Sequence, residues 1–287
     1  MNRGSIALQI ALLSLLSLAS PSAVRAAQGY DNCTGFITSL PATISTQGVY
    51  CLKQNLLTSL SSGRAISVNV NNVTIDCNGF ALSGTAGVGT TTGGIYASGR
   101  SNVTVRHCAI SGFYYAVFFT GASGSGHVVE DNRFDANTVY GADVEGDGSV
   151  IRRNLVNNTG LSSNTAFAKA LTGRGSVDII DNTVAGVSTA SGSNGYVFGI
   201  EAYNDPDGKV SDNIVRGLSP DGSGNAAAIV SSASANVTIR GNDLEGNGGY
   251  GASCDAGSHD ITRDNIMVGF GLALSQCVDG GSNYIAP

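Results

Sequence analysis

Short apolar-polar alternations recur along this chain, each ending in a turn. In Asn71-Asn72-Val73-Thr74-Ile75-Asp76-Cys77-Asn78-Gly79-Phe80-Ala81-Leu82, Val73 and Ile75 share one side of a strand, and a second apolar pair, Phe80 and Leu82, follows the turn. The unit (Ile/Val)-x-x-Asn-x-(apolar) returns as Ile75..Asn78..Phe80, Val105..Cys108..Ile110, Val129..Asn132..Phe134, Ile151..Asn154..Val156, Ile179..Asn182..Val184, Val210..Asn213..Val215, Ile239..Asn242..Leu244 and Ile261..Asp264..Ile266. The spacing between copies varies from 22 to 31 residues. One copy cannot bury its apolar side alone, so a solenoid is predicted, with loops of unequal length bulging from its coils.

A second strand precedes each anchor: Ala65-Ile66-Ser67-Val68, Gly94-Ile95-Tyr96-Ala97, Ala116-Val117-Phe118-Phe119, Gly141-Ala142-Asp143-Val144, Ala168-Lys169-Ala170, Gly199-Ile200-Glu201-Ala202, Ala228-Ile229-Val230, Gly251-Ala252-Ser253-Cys254 and Gly271-Leu272-Ala273-Leu274. Each is a small residue followed by an in-out-in alternation. Tyr115, Tyr140, Phe167, Phe198, Tyr250 and Phe270 stand before six of them, and period two puts these rings inside, stacked coil on coil. Asn is expected at the bend because it tolerates the left-handed conformation and can bond to its counterpart one coil away. Asn-Val-Thr at 72, 102 and 236 belongs to the start of the same strand, so its match to a glycosylation sequon is a by-product of the repeat.

Leucine-rich repeats need Leu-x-x-Leu-x-Leu and calcium-binding nonapeptides need Gly-Gly-x-Gly-x-Asp; neither is present. The fold class is therefore all-β: a right-handed parallel β-helix of about nine coils over 63–276. Residues 27–62 are expected to cap its first coil and 277–287 to close its last.

Composition changes this picture in three ways. Arg3, the apolar run Ile6 to Leu18 and Val24-Arg25-Ala26 read as a signal peptide over 1–26. That run is short of the roughly 20 residues a spanning helix needs, so no stable membrane insertion is expected after cleavage. Losing Arg3 and Arg25 moves the net charge from −6 to −8, a poor balance for nucleic acid. All six cysteines lie beyond the signal, in the order Cys33/Cys51, Cys77/Cys108 and Cys254/Cys277. Three local bridges and a secreted or periplasmic location follow as expectations, although six cysteines allow 15 pairings.

Val-Thr-Ile-Asp-Cys-Asn-Gly at 73–79, Gly-Gly-Ile-Tyr at 93–96 and Ser-Asn-Val-Thr-Val-Arg-His-Cys-Ala-Ile at 101–110 resemble exported proteins with the right-handed β-helix region of the pectin-lyase-like superfamily. The resemblance implies this fold, and a range of polysaccharide lyases, glycoside hydrolases and uronate epimerases. The Asn-Thr-Asp, Asp-Asp, Gly-His-Gly and Arg-Ile-Lys set of polygalacturonases is missing, as is the Arg-x-Pro-x-x-Arg of pectate lyases. Asn204-Asp205-Pro206-Asp207 matches only part of the Asp-Pro-His of mannuronan epimerases.

Chemistry is then sought at the outward position of the repeated strand: Ser67, Tyr96, Phe118, Asp143, Lys169, Glu201, Val230, Ser253 and Ala273. Neighbouring coils are about 4.8 Å apart, so Asp143, Lys169 and Glu201 are expected side by side as catalytic candidates, with Arg174 from the following loop. Tyr96, Phe118, Glu145 and Tyr203 are the expected substrate-binding residues. Aromatic faces suit sugar rings, and the acids could give a proton or hold a calcium ion, although no cofactor or metal is expected from the pattern. Two carboxylates two coils apart would be separated by roughly 9.6 Å, near the upper limit for inverting hydrolysis. The same residues would equally make a charge ladder on a solvated face, worth a few tenths of a kcal/mol per pair. His127 and His259 are both expected in a slot that is inward Val in other coils, and His107 in a turn or the core. The expected function is binding or processing of an extracellular or envelope polysaccharide, including a uronate polymer, by a monomer; the alternative is a non-catalytic surface protein.

Overall fold

Val and Ile at alternate positions wrap the chain into three parallel sheets around an apolar interior. The computed structural model describes residues 30–87, 89–160 and 167–287; the expected signal peptide lies outside them. Sheet 1 has 11 strands, and sheets 2 and 3 have ten each, so the coil number is close to the nine expected. Residues Asp31–Pro287 form one compact unit. Strand Val73–Asp76 of sheet 1 lies parallel to Val103–Arg106, with Ile75 opposite Val105. Strand Ala109–Ser111 of sheet 3 lies between Ala81–Ser83 and Arg133–Asp135. Strand Tyr115–Thr120 of sheet 2 lies between Gly93–Ser98 and Tyr140–Glu145. Ile75, Val105, Val129, Ile151, Ile179, Val210 and Ile239 are fully buried, which puts this column of branched side chains into the core.

Asparagines form a ladder at the turn from sheet 1 to sheet 3. The Oδ1 of Asn182 accepts from the backbone N and the Nδ2 of Asn154, each at 3.0 Å. Its own Nδ2 donates to Ile151 O, Ile180 O and Asn213 Oδ1. The pattern runs from Asn132 to Asn283. A buried polar network is tolerable only when its members are satisfied in this way. Above it, the Cys108 backbone N donates to Asn132 Oδ1, and the Cys77–Cys108 bridge takes the place of the next rung. Contrary to the expectation from sequence, the left-handed conformation is adopted not by the ladder asparagines but by the residue before each: φ is 54° at Asp131, 52° at Arg153, 60° at Asp181 and 58° at Asp212. The two tasks assigned to one Asn are divided between neighbours.

Two anchors sit in a different register. Thr262, not Ile261, lies opposite Ile239, and Asn265, not Asp264, continues the ladder. Ile261 and Ile266 point outward, while Thr262 and Met267 are buried; a β-branched Thr in an apolar slot hid the shift. In the first unit Leu82, not Phe80, lies opposite Ile110, because Asn78 and Gly79, both at positive φ, lengthen the turn.

The bridges are Cys33–Cys51, Cys77–Cys108 and Cys254–Cys277. From Gly35 the segment expected as a cap is already wound as coil: Gly35–Phe36 and Gly48–Cys51 join sheet 1, Ala42–Ile44 sheet 2 and Leu56–Leu57 sheet 3. At the other end Val278–Asp279 joins sheet 1 and Tyr284–Ala286 sheet 3.

Candidate functional site

The outward face of sheet 2 carries the predicted residues, in a register that differs from the expected one at two coils. The observed column is Ser67, Tyr96, Phe118, Asp143, Thr172, Glu201, Val230, Ser253 and Ser275. Lys169 falls in the adjacent column, between Tyr140 and Phe198, and Ser275 replaces Ala273. Phe167-Ala168 imitates the aromatic-small signature two residues early. The true small position is Ala170, whose carbonyl lies so near Gly141 that a Cβ there would stand 2.5 Å from it.

The aromatic residues expected in the core line this outer face instead, except Phe270, which packs against the core. Buried Ala and Gly take the inward turn of the strand, and the preceding ring swings outward. Tyr115 lies 5.0 Å from Phe118, and Phe118 lies 6.0 Å from Tyr96. The Tyr115 ring covers Gly93, where a Cβ would fall 2.1 Å from ring atoms. Arg64 places its guanidinium 3.4 Å from the Tyr96 centroid. Farther along, Tyr140 meets Phe167 at 5.9 Å, Phe167 stacks on Tyr196 at 5.9 Å, and Tyr196 stacks on Phe198 at 5.0 Å.

Between the two aromatic groups stand two ion pairs. Arg174 Nη2 donates to Asp143 Oδ2 at 2.5 Å. Lys169 Nζ donates to both oxygens of Glu201, at 2.8 and 2.7 Å, and Thr172 Oγ1 lies 3.4 Å from Glu201 Oε2. Although they project from the outside of the coil, Asp143 is 1% exposed and Glu201 3%. Burial pushes the Asp143 carboxyl up to about 7; Arg174 opposes the shift, and the charge of Glu201 adds to it. The Tyr140 phenol is raised, by burial first and then by the charge of Asp143.

Asp143, Glu201, Lys169 and Arg174 are thus brought together, as two neutralised pairs in place of the expected Asp-Lys-Glu row. Tyr203 joins them at its exposed edge, its ring 5.3 Å from the Arg174 guanidinium. Glu145 is occupied structurally, accepting from Thr120 Oγ1 at 3.0 Å and from the Gly121 backbone N at 2.7 Å. Tyr196, Thr172 and Arg64 belong to this face and were missed. Strict alternation from the outward Glu201 and Ser67 puts Tyr196 and Arg64 inside, so the bend that turns the other rings outward hides these two as well.

The histidines are elsewhere. His127 fills the inward Val slot, its Nδ1 accepting from the Val103 backbone N, and burial lowers its pKa to about 4. Asp260, not His259, occupies that slot in the late coil, and His259 is exposed at positive φ. His107 is a turn residue at φ 52°, facing Asp76. Among the described residues no group of three or more His, Cys, Asp or Glu could hold a metal ion.

Two depressions adjoin the face. One of about 250 Å³ lies by Phe198, Ala227 and Tyr250; another of about 360 Å³ lies by Glu145, Arg174 and Tyr203. A larger one of about 510 Å³ is at the turn holding His107, Asp131 and Arg153, whose acids are already tied to arginines. The face therefore offers aromatic surface and paired charge along one direction, with one buried carboxyl whose pKa burial raises to about 7.

A family model described as the right-handed β-helix region matches residues 41–184 and 94–266. No curated protein matches the sequence. Among solved structures, the Dettilon tailspike protein gp208 is similar at 13% identity and a TM-score of 0.58, over 88% of this chain and 60% of that one. A mutant tailspike of E. coli bacteriophage HK620 in complex with a pentasaccharide is similar at 13% identity and a TM-score of 0.50, over 89% of this chain and 60% of that one. The chain thus spans about 60% of the length of the tailspikes it matches, and the likeness is one of fold.

Proposed function

Because this chain belongs to the family of the right-handed β-helix region, we propose that it is an exported protein that binds a uronate-containing polysaccharide along the outward face of sheet 2. The observation that carries this reading is the file of outward rings, from Tyr96, Phe118 and Tyr115 to Phe167, Tyr196 and Phe198, interrupted by Arg174–Asp143 and Lys169–Glu201. Aromatic faces pack against the apolar faces of sugar rings, while guanidinium and ammonium groups take carboxylates. The tailspike seen with a pentasaccharide supports a sugar ligand for a scaffold of this kind. Three disulfides favour an oxidising compartment. Binding of oligogalacturonate and oligomannuronate, measured by calorimetry, tests this: saturable binding that weakens in Tyr96→Ala supports it, and no heat with either sinks the uronate assignment.

One observation favours a second reading, catalysis. Asp143 has a carboxyl raised to about 7 and an Oδ1 without a hydrogen-bond partner, as suits a general acid. Glu201 is two coils away, roughly 9.6 Å, at the upper limit of the separation that leaves room for water in an inverting hydrolase. Arg174, a permanent cation, then holds substrate charge and does not serve as a base. Release of reducing or unsaturated ends, lost in Asp143→Asn while binding remains, distinguishes catalysis from binding alone.

A further inference from the structure

The outward column beside the acids is Tyr115, Tyr140, Lys169, Phe198, Ala227, Tyr250 and Leu272. From Tyr115 to Leu272 it presents a long side chain on every coil except one, where it presents Ala227; the coil before Tyr115 has Gly93 in this column, and the Tyr115 ring covers that gap. Phe198 and Tyr250 flank that position one coil to either side, about 4.8 Å away each along the stack. The missing side chain leaves the depression of about 250 Å³. Its floor is Ala226, Ala227 and Val230, its walls are Phe198 and Tyr250, and Asn225 and Ser253 bring an amide and a hydroxyl to the rim. No charged side chain lines it, although Lys169, Glu201, Asp143 and Arg174 crowd the preceding coils of the same face.

We propose that this vacant rung is a subsite for one uncharged sugar residue, held between the Phe198 and Tyr250 rings, so that the ligand is a mixed polysaccharide carrying neutral as well as acidic residues. This rests on the reading of the face as a polysaccharide site and deepens it. A pocket walled by aromatic and small apolar groups with few polar groups at its rim holds a ring by its faces and orients it by its hydroxyls. A uronate carboxylate placed there would lose water without gaining a cation, whereas one placed by Arg174 or Lys169 would keep a charge partner.

The experiment uses the full chain and two probes, an uncharged gluco- or galacto-tetrasaccharide and tetragalacturonate, with saturation-transfer NMR and calorimetry as readouts. Ala227→Phe restores the ring that the neighbouring coils carry and fills the subsite. Circular dichroism and Tm verify that the variant folds, and Val230→Phe, which fills the floor without adding charge, is the second variant. The expected result is binding of the neutral tetrasaccharide by the wild type, at least tenfold weaker in both variants, with tetragalacturonate binding changed less than twofold. Neutral tetrasaccharide binding that survives in the folded variants, or binding of tetragalacturonate alone, overturns the subsite and leaves the polysaccharide reading standing. Binding of neither probe overturns both.

Discussion

Arg174 Nη2 lies 2.5 Å from Asp143 Oδ2, yet Asp143 Oδ1 and Arg174 Nε are both buried with no hydrogen-bond partner. The pair is held by one bond where two parallel ones are usual. Burial therefore outweighs the arginine and raises the carboxyl to about 7. Between about pH 4 and pH 7 the folded protein holds a proton that the unfolded chain has released, so stability falls as pH rises through that window. Two pH units of this linkage correspond to roughly 3 kcal/mol. In urea titrations, wild type should lose about that much relative to Asp143→Asn between pH 5 and pH 8. A gap moving in wild type's favour with rising pH would mean that the ion pair dominates.

The asparagine ladder is a stability device. Asn182→Ala removes the acceptor for the Asn154 backbone N and Nδ2 and the donor to Ile151 O and Asn213 Oδ1. Leaving such groups buried without partners should cost about 3 kcal/mol. Asn236→Gly, at an exposed residue with φ 61°, should cost about 0.5 kcal/mol or less, since Gly accepts that conformation freely. Equal losses in denaturant titrations would remove the distinction between ladder and bend.

The Cys77–Cys108 bridge closes a separation of 31 residues at the head of that ladder. Cys77→Ala with Cys108→Ala should lower stability by about 3 kcal/mol, read by thermal unfolding of the non-reduced proteins.

These features were unequally legible. The parallel β-helix follows from Ile75, Val105, Val129 and their successors, because each coil must bury the same face, and register errors at one coil do not disturb the average. The candidate site depends on register at single coils. Lys169 sits three residues from the Asp143-Glu201 column because Phe167-Ala168 resembles the aromatic-small signature, yet its long side chain reaches Glu201 all the same. The rings were misassigned because strict alternation ignores the bend where Gly141 or Ala170 faces inward, which turns Tyr140 and Lys169 out. Ion pairing and burial of Asp143 depend on neighbours 31 residues away, beyond any local pattern.

Gly93 makes the aromatic arrangement testable from below. A methyl group there would fall within 2.1 Å of the Tyr115 ring, and φ at Gly93 does not lie in the left-handed region. Gly93→Ala should therefore fold, displace Tyr115 from Arg64 and Phe118, and weaken oligosaccharide binding about threefold to tenfold by calorimetry. Unchanged binding would show that Tyr115 does not contact the ligand.

The most direct test of the sheet 2 face is calorimetric titration of wild type and Tyr96→Ala/Tyr196→Ala with the same acidic and neutral oligosaccharides. Both rings stand outward and partly exposed, so their loss should leave circular dichroism and Tm close to wild type. Saturable wild-type binding that is at least tenfold weaker in the double variant is the predicted result. Equal affinity in the two proteins would place any glycan site elsewhere on the molecule and contradict the account.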